Sequence, residues 1–271
     1  MRKGIALIVS VLFAAHSHAL VWHWHDDFSE QEALKLKRWI TEADQGIRTL
    51  FGELPYEPHI HLNRLANSRE PVPWANTRKY RNPAANFHVD PSYDLQAFRS
   101  DWTGAHELSH LLFPYLGSTS TWFAEGIASY LQYQIMYASG VLTWPETTAR
   151  MTAGFQRGRV DLRAGTMPIP DISKQRVRAP KRMYWGGAAY FLEVDRRLAT
   201  EDLRLVDVIR RYVACCWRMH RGNARTMMAQ LDRIAATSVF ADTYDELMTQ
   251  RGFPNTETGM AWLRKNPPQL N

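Results

Sequence analysis

The stretch from Trp102 to Tyr130, W-T-G-A-H-E-L-S-H-L-L-F-P-Y-L-G-S-T-S-T-W-F-A-E-G-I-A-S-Y, constrains this chain more than any other. It contains His106-Glu107-Leu108-Ser109-His110, a complete H-E-x-x-H, and fourteen residues separate His110 from Glu125. Histidines four apart on a helix project from one face about one turn from each other, so both imidazoles can reach a single ion. The turn Gly117-Ser118-Thr119-Ser120 precedes a second helical pattern, and Glu125 lies in its first turns, where folding back brings its carboxylate to the same ion. Two imidazoles and a carboxylate, with a fourth position left for water, form the donor set of a catalytic zinc site. His106, His110 and Glu125 are therefore the expected ligands of one Zn2+ per chain. Glu107 points into the same cleft but cannot easily reach the ion from its helical position, which makes it the expected general base.

The remaining sequence sets the context. Met1-Arg2-Lys3, an apolar run from Gly4 to Ala15 and the small-residue site Ser17-His18-Ala19 read as an export signal over 1–19. The expected mature chain starts at Leu20, in the periplasm or outside the cell. The apolar run is too short to span a bilayer, and no later segment offers about 20 apolar residues. Net charge is +6, and the charges are mixed along the chain rather than massed, so nucleic acid is not an expected partner. Cys215 and Cys216 are adjacent; on a helix they point about 100° apart, so two thiols are expected rather than a bridge.

Periodicity predicts an α+β fold over 20–271, with a sheet and the zinc helices in 20–140 and a mainly helical part in 141–271. Val21 to His25 alternates like a short strand, and His23 and His25 share one of its faces. Ser29-Glu30-Gln31-Glu32 is a capping box that opens a helix over about 29–52. Prolines punctuate 53–100, where His59-Ile60-His61-Leu62 and Asn86-Phe87-His88-Val89 are the strand candidates, and the strand at about 85–90 is expected just before the metal helix. An edge strand there would pair with an extended peptide. His59, His61 and His88 are read as structural. Helices follow over about 101–113 from a Ser100 cap and from Thr121 to a Gly140 stop. The segment 141–182 is mostly loop, with one helical piece near 146–157. Helices near 184–199, 201–219, 223–236 and 240–250 complete the chain, Asn223 and Asp242 being the expected caps.

H-E-L-S-H followed by W-F-A-E-G-I-A-S-Y resembles the gluzincin zinc peptidases, in particular the aminopeptidase N-like and glycyl aminopeptidase families. Tyr184-Trp185-Gly186-Gly187 is similar to the downstream helix start of those families, whose tyrosine stabilises the tetrahedral intermediate; the resemblance thereby implies that role for Tyr184. It covers about 100–200 and implies a zinc-dependent peptidase acting on a peptide or protein substrate. No G-x-M-E-N stretch, which grips a free amine in the aminopeptidase N-like families, occurs between 53 and 100, so cleavage at a chain end and internal cleavage both stay open. Two other readings also stay open: a non-catalytic binding protein on a peptidase scaffold, and a zinc amidase acting on a non-peptide envelope substrate. Lys174, Arg176, Arg178, Lys181 and Arg182 form a basic stretch that would favour an acidic substrate if it faced the cleft, and would otherwise be a solvated loop. Oligomeric state is not legible.

Overall fold

The computed structural model describes residues 19–79, 82–217 and 222–270; the expected export signal, apart from Ala19, lies outside the described residues. Near the N-terminus, strands β1 (Val21–Trp24), β2 (His59–Arg64), β3 (Trp74–Arg78) and β4 (Ala84–Val89) form one sheet in the order β1-β2-β4-β3. β2 is parallel to β1 and to β4, whereas β3 is antiparallel to β4. Alternation decides the two faces. Ile60, Leu62, Phe87 and Val89 are buried under helix α1 (Glu30–Phe51), whose Trp39 meets Phe87 edge-on at 5.3 Å. The opposite face carries the histidines of β1 and β2. Ser29 and Glu32 form the expected capping box at the start of α1.

The sheet edge differs from expectation. The strand at 84–89 is interior, and β3, which the sequence pattern did not reveal, takes the edge. Trp74-Ala75-Asn76-Thr77-Arg78 buries neither face fully, so no apolar alternation marks it. The helix expected over 101–113 is split. Ser100 ends a short helix α2 (Leu95–Ser100), which Asp94 caps, and helix α3 (Thr103–His110), which carries His106 and His110, begins after a break at Asp101. Asp101 is extended, and its Oδ1 accepts the Thr103 N–H at 2.7 Å.

Everything beyond is helical: α4 (Thr121–Ala138), α5 (Trp144–Arg159), α6 (Ile169–Lys174), α7 (Pro180–Leu198), α8 (Leu205–Cys216), α9 (Ala224–Ala235), α10 (Val239–Thr243, continued by a π-helical turn) and α11 (Glu257–Lys265). The segment 141–182 is more ordered than expected. A Thr143–Glu146 capping box with Pro145 in the first turn starts α5, and α6 follows it. Asn223 caps α9 as expected, whereas Asp242 lies inside α10 and caps nothing. Cys215 and Cys216 form a disulfide rather than two thiols. The pair ends α8, and Trp217 turns extended, so the second cysteine is not held in a helix interior.

The buried apolar side chains of the sheet, of α1 and of the later helices join in one core. A buried polar knot locks α4, α7 and α8 together. Asp195 accepts from Tyr130 Oη (2.6 Å), two Arg204 nitrogens (3.0 and 2.9 Å) and the Leu205 N–H (2.7 Å). A carboxylate buried without such donors would be strongly destabilising. Among the described residues no helix is long and apolar enough to cross a membrane.

Candidate metal centre

Helix α3 is buried along its whole length, and α4 packs against it. Their contact brings His106, His110 and Glu125 together as the one His/Cys/Asp/Glu group among the described residues that could hold a metal ion, with ligand atoms all within 4.8 Å of one another. Glu125 Oε2 lies 3.2 Å from His106 Nε2 and 3.5 Å from His110 Nε2. Donors that share one tetrahedral ion at about 2.0–2.1 Å stand about 3.3 Å apart, so this spacing and this donor set fit zinc. The three groups are also electrostatically matched. Burial pushes the Glu125 carboxyl up, but the two imidazoles outweigh it and hold it well below the usual carboxylate range. Burial alone would lower His106, yet its contact with Glu125 leaves it raised.

Two supports for the histidines were not found in the sequence. His106 Nδ1 lies 2.8 Å from Gln132 Oε1, buried on α4. An amide oxygen can only accept, so Nδ1 carries a proton there, which leaves Nε2 as the nitrogen that meets Glu125 and is placed to ligate an ion. The signal was present: Gln132 is seven residues after Glu125, two helical turns on the same face. At the other end of α3, Leu111 O accepts from Tyr56 Oη (2.7 Å) and Trp217 Nε1 (3.1 Å). These bonds satisfy an orphan carbonyl where the helix stops and fix the backbone beside His110. Their partners lie too far off in sequence for any local pattern to reveal.

Glu107 is buried beside the trio without belonging to it, and that burial raises its carboxyl. Tyr184 comes from α7, in the helix's second turn rather than at its start, because Pro180 begins α7 one turn earlier than expected. Its ring stacks on His106 at 6.1 Å between centroids, and burial followed by the nearby Glu125 and Glu107 charges raises its phenol. Two glycines let α7 come this close. A Cβ at Gly126 would lie 2.6 Å from Gly187 Cα, and one at Gly187 would lie 2.2 Å from Trp122 O. Tyr130 and Tyr190, the nearby tyrosines, donate to Asp195 and to Phe240 O instead.

These groups line a cleft of about 550 Å³ bounded by β3, α3, the loop Tyr115–Gly117, the start of α4, and Tyr184. None of the basic side chains of 174–182 lines it. Arg182 is buried against Phe253 instead, and Lys174 pairs with Asp171. The basic groups in the cleft wall are Arg78 and Lys79.

The sheet histidines lie elsewhere. His23 Nε2 is 2.8 Å from His59 Nδ1, His25 Nε2 is 2.8 Å from His61 Nδ1, and the His23 and His61 rings stack at 4.3 Å. Each pair is already closed by its own hydrogen bond. His88 packs against Trp74 at 4.6 Å between rings.

No family model matches the chain, and no curated protein matches it. Its α+β scaffold is similar to that of a solved aminopeptidase N family protein from Idiomarina loihiensis, with a TM-score of 0.51 and 15% identity. The likeness covers 92% of this chain and 44% of that one, so the chain spans less than half the length of that protein. At this identity the similarity concerns the fold alone; within it lies a buried cluster that could hold a metal ion.

Proposed function

We propose that the protein is an exported, zinc-dependent peptidase of the gluzincin type. The observation that carries this reading is the convergence of His106, His110 and Glu125 from two helices, with Glu107 beside them and free of the donor set. A zinc ion held by those three side chains supplies a Lewis acid that acidifies water and polarises a carbonyl. Glu107 takes a proton from the attacking water and delivers it to the amine nitrogen as the C–N bond breaks. Its raised carboxyl and dry surroundings suit a group that must bind and release that proton. Tyr184 donates from its phenol to the carbonyl oxygen as charge gathers there, and its place in the cleft lining beside His106 supports this role. The free edge of β3 runs along the cleft wall and offers main-chain groups to an extended peptide.

The test is zinc-reconstituted protein incubated with a peptide library and a panel of envelope amides, with products read by mass spectrometry. Peptide cleavage that Glu107→Gln lowers by several orders of magnitude, with zinc still bound, is the expected result. Cleavage confined to the envelope amides would reassign the substrate. Zinc binding without turnover on either panel would make the protein a binding module.

A further inference from the structure

The peptidase reading leaves one charge in the cleft unused. Lys79 follows the last residue of β3, and its side chain lines the cleft together with Glu107, Glu125 and Tyr184. Of the other deeply placed cations, Arg48 pairs with Asp44 and Glu53 and Arg204 with Asp195, while Arg182 packs over Phe253 away from the cleft. Among the described residues no ion pair engages the Lys79 ammonium. Burial lowers it to about 8, while the Glu125 and Glu107 carboxylates act in the opposite sense. Both carboxylates have other roles in the peptidase reading, one as metal ligand and one as base. A desolvated ammonium left facing an open cleft gains most from an anion that arrives with the substrate.

The cleft also has an electrical direction. Glu70 and Asp101 line it too, and Asp101 is raised first by burial and further by Glu70, which places those two acids near each other. Glu70 precedes β3 and Lys79 follows it, so an anion is repelled at one end of the strand and attracted at the other. Arg78 adds to the positive end, although its NH2 lies 3.3 Å from His61 Nε2 and 3.4 Å from Asn86 Oδ1. A lysine suits such a position because it is a compact charge on a flexible stem, able to follow a carboxylate without the fixed geometry of a guanidinium.

We propose that Lys79 recognises a carboxylate of the substrate close to the scissile bond, so that the enzyme selects anionic peptides. The carboxylate belongs either to the peptide's C-terminus or to an Asp or Glu side chain. The proposal rests on the peptidase reading and deepens it.

The experiment compares wild type, Lys79→Met and Lys79→Arg on matched peptide pairs: a free C-terminal acid against its amide, and Glu against Gln at each position flanking the cut. A charge-assisted hydrogen bond predicts that wild type favours the anionic member of one pair by about 10- to 100-fold in kcat/KM. In Lys79→Met that ratio should collapse towards one, and Lys79→Arg should recover part of it. The pair that responds identifies which carboxylate is read. A wild-type ratio near one, or a ratio that survives in Lys79→Met, overturns the proposal. Equal losses on charged and neutral peptides also overturn it, because they assign Lys79 to the oxyanion or to the fold. Should wild type cut no peptide while holding zinc, the peptidase reading fails by itself. Calorimetry of the same pairs on the Glu107→Gln protein, with and without Lys79→Met, then decides whether Lys79 binds the carboxylate.

Discussion

On the α3–α4 pair two imidazoles, His106 and His110, turn Nε2 towards a single carboxylate oxygen; on the β1–β2 pair four imidazoles, His23, His25, His59 and His61, turn their nitrogens towards one another. The second region has more histidines and less chemistry. In the first, burial removes water, an amide oxygen from Gln132 sets the tautomer, and Glu125 supplies a negative charge held between the two rings. In the second, one ring nitrogen of each histidine is already closed by an imidazole partner, and the sheet face is open to solvent. Convergence on one point, dryness and an orienting neighbour make the first region the candidate metal centre; the number of histidines does not.

The comparison breaks most sharply on metal content. His110→Ala should abolish stoichiometric zinc and peptide hydrolysis together, whereas His59→Ala should keep one zinc per chain, both read by elemental analysis of dialysed protein. A loss of zinc in His59→Ala alone would reverse the assignment of the two regions. Tyr184→Phe should reduce kcat by about 10²-fold with metal retained, the usual scale for one lost oxyanion donor. An unchanged kcat would pass the role to another donor, Tyr115 being the other tyrosine of the cleft wall. Gln132→Leu should weaken zinc binding by about 10- to 100-fold in competition with a chelator, as removal of an orienting partner typically does. The smallest effect belongs to the sheet. Burial and the neighbouring His23 and Arg78 lower His61 from 6.5 to about 4, so the folded state keeps it neutral where the unfolded chain takes a proton. Stability should therefore fall as pH drops from about 6.5 to about 4, and His61→Asn should flatten that fall, with a Tm change of about 2 °C or less. A steeper pH dependence in the variant would remove His61 from the account.

How much of the centre was legible follows from the range of each contact. The pairing of His106 with His110 is a matter of one helical turn, and Glu125 needed only the Gly117–Ser120 turn to fold α4 back onto α3. The cleft wall was harder to read. β3 has no apolar alternation because its faces are half exposed, so the edge strand and Lys79 behind it stayed hidden; the cations of the cleft wall are Arg78 and Lys79, and the basic stretch of 174–182 does not line it. The split at Asp101 was missed because a capping carboxylate can end one helix and start another within two residues.

Local spacing in the sequence alone determined the α+β make-up, the capping box of α1 and the candidate donor set, since these depend on neighbours within about two helical turns and, for Glu125, on one short turn between two helices. Only the tertiary structure decided the rest: the strand order that makes β3 the edge, the glycine contact between α4 and α7 that carries Tyr184 to Glu125, the Tyr56 and Trp217 bonds behind His110, and the face of the cleft that holds a lysine. Those depend on which surfaces meet when the core closes. Packing settles that between residues tens of positions apart, where no sequence period reaches.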